Sequence, residues 1–370
     1  MIRKTRSMVV EEPGKMALRE FDLPEIGPED GLLKVEMAGV CGSDPGMFKG
    51  KATALPITYP LILGHEVVGH IEAIGETAAQ RHRVREGDRV IVETAFGCGH
   101  CYPCLTGNYV QCESSLLYGH TISCKEPPHL WGAYGEYLYL APRANFHRVS
   151  DDLPAEAAVL ICAVLGNAVR WLGMMGGVSI GYTVVIEGPG LQGLAGVIVA
   201  RESGASRIIV TGLKKDEKRF ALAREFGATH CIDAEERDPV EEVREITKGV
   251  MADVVMDVTG HPEGAMKALD LVRKRGTIIL PGIYGAAQSI PLILDKLVFK
   301  EAKMQGVLSQ NIQSVLPAIP LAESRKYPIE KMVTHQFPLE EAERAVRLVG
   351  GELGGEEAIK VVILPQKEWT

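Results

Sequence analysis

From residue 182 to residue 284 the chain alternates two hydrophobic rhythms. Short β-branched runs, as a buried parallel strand requires, are each followed by a longer segment of helical spacing. "TVVIE" (183–187) predicts a strand, "GPGLQG" a glycine turn, and the small apolar residues after it a helix to about Ser203. "RIIVTG", Arg207 to Gly212, predicts the next strand, and "KDEKRFALAREFGA" a helix ending at Gly227. Cys231, Ile232 and Asp233 close a short strand, and "DPVEEVREITKG" reads as a helix capped by Asp238. "ADVVMDVTG", "PEGAMKALDLVRKRG" and "TIILPGIYG" then give strand, helix and strand. Strand and helix in alternation predict a doubly wound α/β unit with a mostly parallel sheet. The N-terminal part, with "VVEEPGKMALREFDLP" and "DGLLKVEMAG", is β-rich and turn-rich instead.

Composition narrows the function classes. At 370 residues the chain is long enough for two domains. A net charge of −8 argues against a nucleic-acid partner, which needs a basic face. The N-terminus lacks the apolar core of a signal peptide. The least charged stretch, Trp171 to Ile186, is broken by glycines at 173, 176, 177 and 181 and is too short for a membrane span. These features predict a cytoplasmic protein with neither nucleic acid nor membrane as partner.

In that compartment clustered cysteines point to metal or catalysis rather than disulfides. Four of the eight fall in "FGCGHCYPCLTGNYVQCE": Cys98, Cys101, Cys104 and Cys112, spaced C-x2-C-x2-C-x7-C. Four thiolates close a tetrahedral zinc site, which is structural because no position stays open. An iron–sulfur cluster is the competing soft-ligand reading, but its bacterial pattern has a shorter last gap and a proline. A second set is Cys41, His65 and Glu66, supplying S, N and O donors. "GHEVVGH" is not a zincin helix, since His65 and His70 are five apart rather than four. The segment "VVGHIEAIG" reads as a strand. Ser43 is a hydroxyl placed to sit beside a metal-bound oxygen, or simply a turn residue. Cys162 in "AAVLICAVLGNAV" is by itself an ordinary buried thiol.

Gly188, Gly190 and Gly193, with Leu191 and Gln192 between them, fit G-x-G-x-x-G in its strand–turn–helix context. Such a turn and the helix N-terminus bind a dinucleotide's diphosphate. The next strand ends in Gly212, where an NAD enzyme usually has a carboxylate for the ribose, and Lys214 and Lys215 follow. That leans to NADP over NAD. Alternatively the two lysines are solvated helix-opening residues, and Asp216 or Glu217 reaches the ribose.

These three features, in this order, resemble the zinc-containing medium-chain alcohol dehydrogenases over nearly the whole chain. "GVCGSD", "GHEVVGHIEAIG", "GDRVIVE", the four-Cys lobe and "GPGLQG" carry the likeness. "YGHTISCKEPPHLWGAYGEYLYL" looks like a bacterial branch acting on secondary or cyclic alcohols. The resemblance implies a split, β-rich GroES-like catalytic domain, 1–162 and 309–370, around a Rossmann domain, 163–308, with the active site between them. It implies two zinc ions per chain and a homodimer or homotetramer. It makes Cys162 the further ligand of the catalytic zinc, Glu66 a close or alternate ligand, and Asp44 the carboxylate that orients His65. Ser43 would take the alcohol proton, and Lys360 would lie near the pyrophosphate. Many members carry a histidine three residues after that serine; Gly46 stands there, so the proton path must end elsewhere. The implied reaction is reversible oxidation of a secondary alcohol with NAD(P). A polyol or amino-alcohol dehydrogenase and an inactive binding protein on this fold are the rivals.

Overall fold

The computed structural model describes residues 4–51, 57–114, 116–284, 289–354 and 357–366. The first three residues of the N-terminal stretch considered for a signal peptide lie outside them. The chain forms two compact units, residues 1–163 with 319–370, and residues 164–318. It returns to the first unit inside helix Ile312–Glu323, whereas the return was expected at 309.

The second unit is built on a six-stranded parallel sheet. Its strand order is His230–Asp233, Arg207–Gly212, Thr183–Glu187, Ala252–Asp257, Val272–Leu280, Lys303–Gly306. The strands read as continuous apolar runs because both faces are covered: Val184, Val185, Ile186, Ile209 and Val255 are fully buried. The order reverses between Thr183–Glu187 and Ala252–Asp257, which opens a crevice at their C-terminal ends. Helix Leu191–Glu202 follows the glycine turn, and Asp238 caps Pro239–Ile246 by accepting from the Val240 N–H at 2.9 Å.

Two elements differ from the sequence pattern. The segment expected to open the helix at 214 is a 3-10 turn, Lys214–Asp216, before helix Glu217–Glu225. The segment "PEGAMKALDLVRKRG" does not remain helical: helix Pro262–Leu271 stops and strand Val272–Leu280 begins. Lys300 supplies the reason. Its ammonium donates to the carbonyls of Leu269 and Val272, each at 2.7 Å, and so caps the helix end from another element.

The first unit is built on a seven-stranded sheet. Its main path is Val333–Pro338, Lys360–Leu364, Gly31–Val40, Glu66–Ile74, Arg89–Val92, Phe146–Arg148, and Tyr137–Leu140 also pairs with Gly31–Val40. A three-stranded sheet, Lys15–Asp22, Lys4–Glu12 and Leu61–Ile62, packs into the same core. Residues 66–74 are thus a strand, as the β-branched pattern predicted. Residues 155–175 form a helix long and apolar enough to cross a membrane by composition, but 72% of its apolar window is buried inside the protein. Within it Ile161–Gly166 and Val169–Met175 are wound as π-helix.

Candidate functional site

The four lobe thiols converge. Cys98 Sγ lies 4.0 Å from Cys104 Sγ, and Cys101 Sγ lies 3.9 Å from Cys112 Sγ. Tetrahedral zinc–thiolate bonds of about 2.3 Å place sulfurs about 3.8 Å apart, so the set fits one zinc ion and no disulfide. Gly97 is needed for the closure, since a Cβ there would stand 2.4 Å from Cys104 Sγ. The N–H groups of Cys98 and Ser114 donate to Cys112 Sγ at 3.2 and 3.4 Å. The backbone N–H groups of His100 and Cys101 pull the Cys98 thiol down to about 6, toward the thiolate that a metal takes. Tyr109, inside the lobe, donates its hydroxyl to Glu93 at the end of the sheet.

The second set also forms. Cys41 follows strand Gly31–Val40 and His65 precedes strand Glu66–Ile74. Antiparallel pairing sets Gly39 opposite Glu66 and so brings the ends of both strands together. One donor atom from each of Cys41, His65 and Glu66 lies within 4.8 Å of the other two. Burial alone would lower the His65 pKa, but Cys41, Asp44 and Glu66 outweigh it and push the value up to about 9. A site that draws positive charge onto a buried histidine, with S, N and O donors converging, fits a zinc ion.

Asp44 is completely buried. Its Oδ2 accepts from the Cys41 N–H at 2.8 Å and from the Tyr134 hydroxyl at 2.7 Å. Its Oδ1 is 3.7 Å from His65 Nδ1, an ion-pair distance and too long for a hydrogen bond. The expected orienting role is therefore electrostatic in this geometry, and the carboxylate grips the Cys41 backbone directly.

Cys162 is buried but lies outside the converging set. It sits in π-wound Ile161–Gly166, whose wider turn aims side chains differently from an α-helix, and burial beside Glu93 and Glu66 raises its pKa well above the ordinary thiol value. Lys360, expected near a pyrophosphate, is 2% exposed, and its ammonium donates to Glu66 and, at 2.9 Å, to the Val40 carbonyl. Strand Lys360–Leu364 runs beside Gly31–Val40, which brings Lys360 to the glutamate.

Sequence reasoning gave no role to His120. Its Nδ1 lies 3.1 Å from the Tyr118 carbonyl, which only accepts, so Nδ1 carries the hydrogen. The acceptor Nε2 then faces Ser43 Oγ at 3.4 Å, and the ring lies 4.2 Å from that of His65. Burial, then the charge on His65, press the His120 pKa to about 3 and keep it neutral. The only sequence signal was its place in "YGHT", which carries no spacing rule.

In the second unit a pocket of about 360 Å³ opens at the reversal of strand order, lined by Gly188, Gly190 and Gly212. Lys215 and Arg219 line it, whereas Lys214 does not; the Lys214 backbone N–H is held by Glu235 at 2.9 Å. Asp216 lines it too, but its carboxylate accepts from the Leu213 N–H at 3.0 Å and pairs with Arg219 at 3.4 Å. A Cβ on Gly212 would stand 2.8 Å from the Pro189 ring, so the glycine turn itself excludes a carboxylate from that strand end.

A donor set for a Lewis-acid metal in one unit and a dinucleotide crevice in the other are what a zinc-dependent dehydrogenase requires. Residues 27–151 match the alcohol dehydrogenase GroES-like domain, and residues 193–324 match the zinc-binding dehydrogenase domain. A probable alcohol dehydrogenase of Mycobacterium tuberculosis is 37% identical over 97% of this chain and 98% of its own length. An L-threonine 3-dehydrogenase of Bacillus licheniformis is 31% identical over 96% of each. The crystal structure of an alcohol dehydrogenase from Thermotoga maritima superposes with a TM-score of 0.88 at 29% identity, covering 98% of this chain and 100% of that one. The chain belongs to the zinc-containing alcohol dehydrogenases of the medium-chain superfamily, with their GroES-like and Rossmann-type domains. It is an oxidoreductase of the alcohol and polyol dehydrogenase class.

Proposed function

We propose that this enzyme interconverts a secondary alcohol and its ketone, with NADP as the hydride partner and zinc held by Cys41, His65 and Glu66. The convergence of those three donors beside the Ser43 hydroxyl carries the reading. When bound, the zinc polarises the alcohol oxygen and the nicotinamide takes the hydride. Ser43 Oγ accepts the proton of the alcohol, while its own hydrogen points to His120 Nε2. His120 so supplies the Ser43 hydroxyl with an acceptor that Gly46 does not. Lys360 offsets the charge of Glu66 behind the site, and Asp44 fixes the Cys41 backbone. The four lobe thiolates leave no open position, so a zinc there stabilises the lobe and does no chemistry.

Gly212, Lys215 and Arg219 support NADP, because two cations, and no carboxylate at the end of strand Arg207–Gly212, face the part of the pocket where the ribose phosphate would lie. A polyol or amino alcohol is the second reading: an L-threonine 3-dehydrogenase and a sorbitol dehydrogenase are among the relatives.

The test is reduced-cofactor absorbance with zinc-loaded protein on secondary alcohols, cyclic alcohols, polyols and threonine, each with NAD and NADP. Turnover with NADP on secondary alcohols, lost in Cys41→Ala with cofactor binding retained, supports the proposal. Retained oxidation in Cys41→Ala overturns the metal assignment. Arg219→Ala should raise KM for NADP by about tenfold or more and leave that for NAD unchanged, as loss of a charged hydrogen bond requires.

A further inference from the structure

One buried acid in the dinucleotide pocket has no role in this chemistry. Glu187 ends strand Thr183–Glu187, immediately before Gly188 of the turn. It lines the pocket yet is 3% exposed, and its Oε2 is buried with no hydrogen-bond partner among the described residues. A buried, unpartnered carboxyl oxygen costs about 1–3 kcal/mol or more unless something pairs with it.

Its neighbour sharpens the problem. Asp257, on the adjacent parallel strand, is in register with Glu187, and both sit where the strand order reverses. Asp257 is fully buried and well supplied with donors. It accepts from the Thr259 N–H at 2.9 Å, the Thr259 hydroxyl at 2.6 Å and the Tyr284 hydroxyl at 2.7 Å. Helix Pro262–Leu271 presses on its other side, where a Cβ on Gly264 would stand 2.7 Å from both carboxylate oxygens. Two adjacent buried carboxyls do not both ionise readily, and the one without donors keeps the proton. Burial, then the charge of Asp257, raises the Glu187 pKa well above the carboxylate range, and Lys267 opposes this only in part. His261 and Glu263 line the same wall as Lys267, and Lys215, Asp216 and Arg219 line the remainder of the pocket.

We propose that Glu187 acts as a neutral hydrogen-bond donor to the bound dinucleotide, its carboxyl O–H directed from the pocket wall to an anionic oxygen of the diphosphate seated at the glycine turn. An ionised Glu187 would instead set two adjacent carboxylates against that anion. Binding therefore requires Glu187 to hold its proton, and affinity falls as pH rises through its ionisation. This rests on the reading of the pocket as a dinucleotide site.

The experiment is titration of the purified enzyme with NADPH, followed by cofactor fluorescence, from pH 6.5 to 9.5. The second ionisation of the ribose phosphate, at about pH 6, lies below that range. In the wild type Kd should rise toward about tenfold per pH unit once Glu187 ionises, as one linked proton demands. Glu187→Gln keeps a neutral donor at every pH and should bind with a flat profile. Glu187→Leu should be flat and weaker throughout. His261→Gln should keep the wild-type slope, which assigns the proton to Glu187. Binding with the same slope in wild type and Glu187→Gln, or a flat wild-type profile, overturns this proposal and leaves the cofactor reading intact. Absence of NADPH and NADH binding at every pH overturns the cofactor reading and this proposal with it.

Discussion

Replacing Lys360 by Met removes one half of a buried ion pair and leaves the other half in place. Lys360 and Glu66 expose 1% and 2% of their side chains, so water cannot take over from either partner. Lys360 is also a donor to the Val40 carbonyl at 2.9 Å, and that acceptor loses its partner too. Stranding one charge of a buried pair costs about 3–5 kcal/mol. For a unit of roughly two hundred residues, at about 2–4 °C per kcal/mol, the melting temperature should fall by about 6–20 °C. Scanning calorimetry at pH 7, with all variants in the same chelator, reads this without any contribution from metal held by Glu66. The decisive comparison is Glu66→Gln combined with Lys360→Met. The double variant carries no stranded charge and should regain most of the loss, giving a coupling of about 2 kcal/mol or more. Strictly additive losses, or a Lys360→Met variant that melts with the wild type, would refute the pairing.

Three further outcomes follow from the geometry. Cys104→Ser should lower metal content from two zinc ions per chain to one and reduce the melting temperature by several degrees; two ions retained would refute closure of the lobe. His120→Phe keeps a ring against His65 but removes the acceptor facing Ser43, so kcat should fall by about tenfold to a hundredfold with zinc content unchanged; an unaltered kcat would exclude His120 from the proton path. His82 stacks on Phe146 at 3.8 Å, and burial, then Arg81 and His147, lower its pKa from 6.5 to about 4. The unfolded chain thus binds more protons between those values, so this contribution is complete above pH 6.5 and fades as pH falls toward 4. His82→Phe should flatten that acid limb in denaturant titrations, and an unchanged slope would refute the assignment.

What the sequence alone determined is local. The four lobe cysteines lie within fifteen residues, and only short turns are needed to gather them, so their spacing already specified the closed set. The strand, turn and helix from Thr183 to Glu202 follow from side-chain period and glycine placement, which act over a few residues. Cys41, His65 and Glu66 were legible as donor types, but strand pairing brings them together. Where long-range packing competes with local preference, the sequence misleads. "VRKRG" suits a helix end, yet Lys300 caps the helix before it and the sheet takes Val272. Cys162 occupies a motif position, but it lies in π-wound Ile161–Gly166 and is not among the three donors that converge within 4.8 Å. Lys360 and Glu66 meet across 294 residues, and His120 reaches Ser43 across 77. No periodicity encodes such pairs. They arise because sheet register and a shared buried volume leave an ammonium beside a carboxylate and an imidazole nitrogen beside a hydroxyl, and only the tertiary structure fixes that register.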